Sequence, residues 1–155
     1  MLGLHCCVWA FSGCDDLKTI NMGNVETIGY RAFYKCPNLT TVSVPGVKYI
    51  DAGAFRSCTS LETIDLGAVM TIEDNAFMDC SSLTEVIISE GVTHIGSLAF
   101  KWCYNLTYLY IPSSVSSIGD EAFWNCDSLN NISYRSLLKI DTIINNAHKI
   151  TWFIA

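Results

Sequence analysis

Apolar residues recur along this chain in a fixed order and at fixed offsets. Taking each Ala-Phe pair as a mark, the phenylalanines fall at Phe11, Phe33, Phe55, Phe77, Phe100 and Phe123, in steps of 22, 22, 22, 23 and 23 residues. A cysteine follows each mark after three residues: Cys14, Cys36, Cys58, Cys80, Cys103 and Cys126. A leucine follows three after that: Leu17, Leu39, Leu61, Leu83, Leu106 and Leu129. A unit this short cannot bury its own apolar face, so each must stack on its neighbours.

The pattern changes within each unit. After the leucine comes L-x-x-[IV]-x-apolar, as in Leu61-Glu-Thr-Ile-Asp-Leu66, whose alternating end fits a short strand with one face buried. Pro45 and Pro112 stand just after two of these segments, where a missing N–H does little harm. A V-x-x-I phrase follows, as in Val47/Ile50 and Val115/Ile118, with Gly29, Gly96 and Gly119 marking a turn before the next Ala-Phe. The Ala-Phe-x-x-Cys segment has room for a short helical turn and no more. Every unit runs the same way, so the strands must be parallel.

The phrase VSSIGDEAFWNCDSL (115–129) resembles the repeat of the BspA-like, Treponema-type leucine-rich repeat family, and the resemblance covers residues 6–134. It implies an α/β fold: a right-handed leucine-rich repeat solenoid, with a curved parallel sheet on the concave face and short helical turns and loops on the convex face. It also implies use in adhesion or recognition at the surface of mucosal bacteria and protozoan parasites. The whole of 1–155 then forms one domain of six units of 22–23 residues. Residues 1–14 are expected to be a truncated first unit, with Cys6 at the position of Ile28 or Ile50. Residues 135–155 are expected to be a degenerate last one, ending in a strand over 150–155. No basic segment precedes the apolar start, so residues 1–14 are read as the opening of the fold and not as a targeting signal. No anchor is visible, and the truncated start suggests a fragment or a shortened member of a repeat family.

Composition removes several classes of function. Half of the 155 residues are hydrophobic, only 15% are charged, and the net charge is −6 with no run of Lys or Arg. A nucleic-acid partner is therefore not expected, because phosphate binding rests on clustered basic residues. Membrane insertion is not expected either, since no apolar stretch approaches about 20 residues.

Eight cysteines raise the question of redox or metal chemistry. Six occupy one repeat position and form a structural column of core thiols. Adjacent strands stand about 4.8 Å apart with parallel Cβ directions, whereas a disulfide wants converging Cβ atoms about 3.8 Å apart. Serine at Cys58 is expected to cost roughly 1–3 kcal/mol because a buried hydroxyl would lack a partner. Cys7 is a candidate exposed thiol, and His94 and His148 read as surface residues. No metal, cofactor or catalytic residue is assigned, since no nucleophile stands beside a base and no ligand spacing occurs.

The outward strand positions form two columns. One runs Thr19, Thr41, Thr63, Glu85, Tyr108, Asn131, and the other Asn21, Ser43, Asp65, Ile87, Tyr110, Ser133. The sheet's C-terminal half gathers tyrosines, an apolar residue and carboxylates, so Glu62, Asp65, Glu85, Ile87, Tyr108 and Tyr110 are the candidate partner-binding residues. Thr and Tyr are also good strand formers without any partner. Asn38, Asn105 and Asn131 begin sequons that matter only in a protein secreted by a eukaryotic cell. These features point to a non-enzymatic recognition module for a protein or glycan. A structural segment of a larger repeat array is the alternative, and an enzyme comes third. The segment Leu17–Met22, as an edge strand, also offers a route to self-association.

Overall fold

The computed structural model describes residues 4–135. The six Ala-Phe units are six coils, numbered here from the one holding Phe11 to the one holding Phe123. The strands are β1 (Leu4–Cys6), β2 (Thr19–Asn21), β3 (Val25–Ile28), β4 (Thr41–Ser43), β5 (Tyr49–Ile50), β6 (Thr63–Asp65), β7 (Thr71–Ile72), β8 (Glu85–Ile87), β9 (His94–Ile95), β10 (Tyr108–Ile111), β11 (Ser117–Ile118) and β12 (Asn131–Tyr134). Even-numbered strands form one six-stranded parallel sheet and odd-numbered strands a second. The molecule is thus a parallel β-solenoid, and each coil returns to the same two sheets.

Register makes the repeat physical. Thr19, Thr41, Thr63, Glu85, Tyr108 and Asn131 pair in one row across the even sheet. Asn21, Ser43, Asp65, Ile87, Tyr110 and Ser133 pair in the next. Between these rows Ile20, Val42, Ile64, Val86 and Leu109 point inward and are buried. On the odd sheet Cys6, Ile28, Ile50, Ile72, Ile95 and Ile118 form the matching inward row, with Cys6 registered on Ile28. The V-x-x-I phrase is therefore itself a strand signal, and it builds a second sheet where loops were expected.

The six phenyl rings stack along the axis, with centroids 5.2–5.4 Å apart and planes within 9° of parallel. Phe33, Phe55, Phe77, Phe100 and Phe123 are fully buried, while Phe11 ends the stack and is 38% exposed. Aromatic pairs of this kind contribute about 0.5–1.5 kcal/mol beyond their buried area.

The Ala-Phe-x-x-Cys segment is not helical, and no helix occurs among the described residues. Residues two before and two after each phenylalanine take positive φ, for example Arg31 (51°) and Lys35 (55°) about Phe33, or Leu98 (61°) and Trp102 (66°) about Phe100. A left-handed residue on either side of the phenylalanine breaks the run of right-handed dihedrals that a helix needs, so a helical ladder cannot form across the segment. Every second N–H instead donates to the next coil: Arg31 to the Ala52 carbonyl (3.2 Å), Phe33 to Ala54 (2.8 Å) and Lys35 to Arg56 (2.9 Å). Intervening N–H groups close tight turns, as Cys58 does on the Phe55 carbonyl (3.2 Å). This hydrogen-bonded turn ribbon joins the coils along a third side of the stack.

The cysteine column lies inside that ribbon. Cys36, Cys58, Cys80 and Cys103 are fully buried, Cys126 is 7% exposed and Cys14 is half-buried; all are free thiols. Each thiol from Cys36 onward donates to the phenylalanine carbonyl one coil back: Cys36 to Phe11 (3.0 Å), Cys58 to Phe33 (3.1 Å), Cys80 to Phe55 (3.2 Å), Cys103 to Phe77 (3.3 Å) and Cys126 to Phe100 (3.2 Å). The expectation that a serine hydroxyl would be unpartnered here is corrected, because the Phe33 carbonyl already accepts from this position. The expected unit over 135–155, including the strand over 150–155 and His148, falls almost entirely outside the described residues.

Candidate functional site

The even sheet carries the outward rows, because its strands alternate exposed, buried, exposed. A shallow trough of about 440 Å³ lies across β4, β6 and β8, lined by Thr41, Thr63, Asp65, Glu85, Ile87 and Ser89 with the strand centres as its floor. Of the candidate residues, Asp65, Glu85 and Ile87 line it, and Tyr108 and Tyr110 flank it on β10. In one row Tyr108 registers on Glu85 and Glu85 on Thr63; in the next Tyr110 registers on Ile87 and Ile87 on Asp65. Glu62 stands off both rows, exposed just ahead of β6, with its carbonyl accepting from the Thr84 N–H and hydroxyl.

The side chains differ in freedom. Ile87 is 56% exposed, a large apolar residue open to solvent beside carboxylates. Asp65 Oδ1 accepts from the Gly67 N–H (2.9 Å), which fixes the strand exit and engages half of that carboxylate. Tyr110 donates its hydroxyl to Glu90 Oε1 (3.0 Å), and this hydrogen bond raises the phenol above its ordinary value. Glu90 is a site residue the repeat pattern does not flag, since it sits in the Ser-Glu-Gly loop after β8 and its counterpart in the next coil is Ser113, not an acid. The trough is acidic through Asp65 and Glu85, with Glu90 beside it, and no Lys or Arg lines it.

The remaining candidates are scattered. Cys7 is exposed; His94 is half-buried, with Nδ1 2.7 Å from Ser117 Oγ on the odd sheet. Among the described residues no cluster of His, Cys, Asp and Glu has the arrangement of a metal site. Asn38 donates Nδ2 to the Asp15 carbonyl (2.8 Å), so the nitrogen a glycan would need is already engaged. Asn105 and Asn131 are exposed.

Two parallel sheets and a turn ribbon, repeated with leucines and phenylalanines in register, define a leucine-rich repeat solenoid. The model of the BspA type leucine rich repeat region (6 copies) matches residues 7–70 and 67–151. The chain belongs to that family. It is similar to the crystal structure of a leucine-rich repeat protein from Treponema pallidum (29% identity, TM-score 0.82), covering 85% of this chain and 64% of that one. It is also similar to a leucine-rich repeat protein from Bacteroides ovatus (31%, TM-score 0.67; 76% of this chain, 33% of that one). A third similar structure is a leucine-rich cell surface protein from Faecalibacterium prausnitzii (34%, TM-score 0.71; 87% and 35%). The chain therefore spans between one third and two thirds of the length of these proteins. No curated protein sequence matches it.

Proposed function

We propose that this chain is a non-enzymatic recognition module that binds a protein or glycan through the even sheet, as the concave face of a curved, right-handed solenoid. Right-handed crossover between parallel strands is the strong general preference. The observation that carries the reading is the row on β6, β8 and β10, where exposed Ile87 lies between Asp65 and Tyr110 above an acidic trough. An apolar centre with tyrosines and a charged rim is the composition of interaction surfaces. Of the two partner classes, a protein face with basic residues around an apolar contact suits this rim better. Placement at a cell surface is part of the same reading, supported by the similarity to the leucine-rich cell surface protein from Faecalibacterium prausnitzii.

The test is binding to a panel of purified secreted proteins and arrayed glycans, comparing wild type with Ile87→Asp and with Tyr108→Ala/Tyr110→Ala. Lys48→Glu, on the odd-sheet side, is the control. Binding lost in both trough variants and kept in the control supports the proposal. Binding equal in all forms removes it.

A second reading, a structural segment of a longer array, is favoured by one observation. Among the described residues β2 pairs only with β4 and leaves its other edge open. A further coil or a second copy of the chain could add a parallel strand there. If the wild type binds nothing in either panel, this second reading stands in its place.

A further inference from the structure

Away from both sheets, the turn ribbon of coils one to three gathers aromatic rings around cations. The Arg31 guanidinium carbon lies 5.0 Å from the Trp9 ring centroid, 5.0 Å from Tyr30 and 5.1 Å from Tyr34. Lys35 Nζ is 5.3 Å and the Arg56 guanidinium carbon 5.9 Å from the Tyr34 ring. Trp9 meets Tyr30 and Tyr34 edge-to-face, each at 5.8 Å. Trp9 and Tyr30 are 44% and 39% exposed, so the cluster is open to solvent. Gly53 makes the space: a Cβ there would come within 3.2 Å of Arg31 Cγ.

The charges are arranged differently elsewhere in the molecule. Lys48 pairs with Glu26 (3.3 Å), and Lys101, in the same ribbon three coils along, pairs with Glu121 (2.7 Å). The side-chain cations of Arg31, Lys35 and Arg56 have neither a carboxylate nor a hydrogen-bond acceptor among the described residues. Asp74, on an adjoining coil, has Oδ1 engaged by the Ser97 N–H (2.6 Å). A protein of net charge −6 thus places three of its nine Lys and Arg together and leaves them unneutralised. Beside them is a notch of about 60 Å³ lined by Tyr30, Arg31, Gly53, Arg56 and Asn75, with room for one small anionic group.

We propose that this edge is a second binding site, separate from the sheet, and that its ligand is an anionic saccharide carrying carboxylate or sulfate. The guanidinium forks of Arg31 and Arg56 match the two oxygens of such a group. The solvent-exposed parts of Trp9 and Tyr30 supply apolar area for the sugar ring. An extended peptide fits worse, because the backbone of this ribbon is already engaged coil to coil, for example Arg31 N–H to Ala52 (3.2 Å) and Gly53 N–H to Asp74 (2.9 Å). Long polyanions and anionic membranes face the repulsion of the whole acidic chain, since each cation contributes only about 1 kcal/mol at such a surface.

Calorimetry with the full chain tests this, using oligogalacturonate and a heparin oligosaccharide, with neutral dextran and a poly-glutamate peptide of similar length as comparators. Binding of at least one anionic sugar, weakened by salt and absent with dextran, is the expected result. Arg31→Gln/Arg56→Gln should then reduce affinity roughly tenfold or more, the worth of charge-assisted hydrogen bonds. Lys101→Gln should leave it unchanged, and an unchanged thermal midpoint in the double variant shows the loss is not unfolding. The sheet variants Ile87→Asp and Tyr108→Ala/Tyr110→Ala should bind the sugar normally, which separates this site from the trough. Equal binding of dextran, tighter binding of the peptide, no binding of either anionic sugar, or full binding by the double variant would overturn the proposal.

Discussion

At the scale of single residues, the thiol column yields two expectations. Cys58 already donates to the Phe33 carbonyl at 3.1 Å, so Cys58→Ser keeps a donor in place. It should cost about 1 kcal/mol by chemical denaturation, no more than Cys58→Ala, because a satisfied hydroxyl avoids the penalty of an orphaned one. A loss of about 3 kcal/mol for serine with a milder alanine would show that the shorter hydroxyl fails to reach. Burial also holds Cys80 and Cys103 above the ordinary thiol value of 9.0, and Cys126 is pushed up to about 12. In the unfolded chain these thiols ionise near pH 9; folded, they stay protonated. The unfolded state therefore binds fewer protons above pH 9, and stability should fall as pH rises from 9 towards 12. Each such thiol contributes a slope of about 1.4 kcal/mol per pH unit. Denaturant titrations of wild type and Cys80→Ala should differ in that slope by one thiol; parallel curves would mean Cys80 ionises freely. The column itself was legible from spacing alone. Its hydrogen bonds were not, because a repeat fixes which residues stack but not which carbonyl a side chain meets. Glu90 was hidden for a related reason: the loop it stands in changes length and residue type from coil to coil.

At the scale of elements, the turn ribbon departs most from the sequence reading. Five of its twelve left-handed positions hold residues suited to that conformation: Gly13, Gly53, Asn75, Asp79 and Asn125. The others include Trp9, Arg31, Leu98 and Trp102, whose local preferences point elsewhere. Bonds to the next coil outweigh those preferences, so local propensity could not reveal the element. The L-x-x-I strands, by contrast, follow from alternation and match the expected register. The V-x-x-I strands were visible as apolar positions, yet β5, β7, β9 and β11 are only two residues each, too short to show a period. Leu98, at φ 61°, is a place to measure the strain. Leu98→Asn should raise stability by roughly 0.5–1 kcal/mol, since asparagine tolerates this backbone better than leucine. A drop in the thermal midpoint would mean the leucine side chain's packing matters more than its backbone strain.

At the scale of the whole molecule, a solenoid's stability is close to a sum over neighbouring coils, so a coil with one neighbour should open first. Phe11 is 38% exposed and Cys14 half-buried, whereas their counterparts Phe77 and Cys80 are fully buried. Amide exchange should accordingly be faster at 19–21 than at 85–87 in the monomer. Equal protection would mark the first coil as a full cap, and protection of 19–21 that grows with concentration would reveal strand addition at β2. The ribbon bonds have a further consequence, because they all run one way. In each of three columns, five successive N–H groups donate towards higher-numbered coils, from Trp9 to Tyr30 through Leu98 to Asp120 in the first. Peptide units aligned head to tail add their dipoles, as they do along a helix. The edge of the stack therefore acts as a macrodipole, with its carbonyl, partly negative end at coil one and its amide, partly positive end at coil six. The side chains complement it: Arg31, Lys35 and Arg56 gather near the first end, and Asp120, Glu121 and Asp127 near the last. The polarity belongs to this edge alone, because bonds beside the two sheets, such as Gly29 N–H to Cys6 and Thr40 N–H to Lys18, donate the opposite way, and the ribbon thereby carries an ordered field that tells its two ends apart.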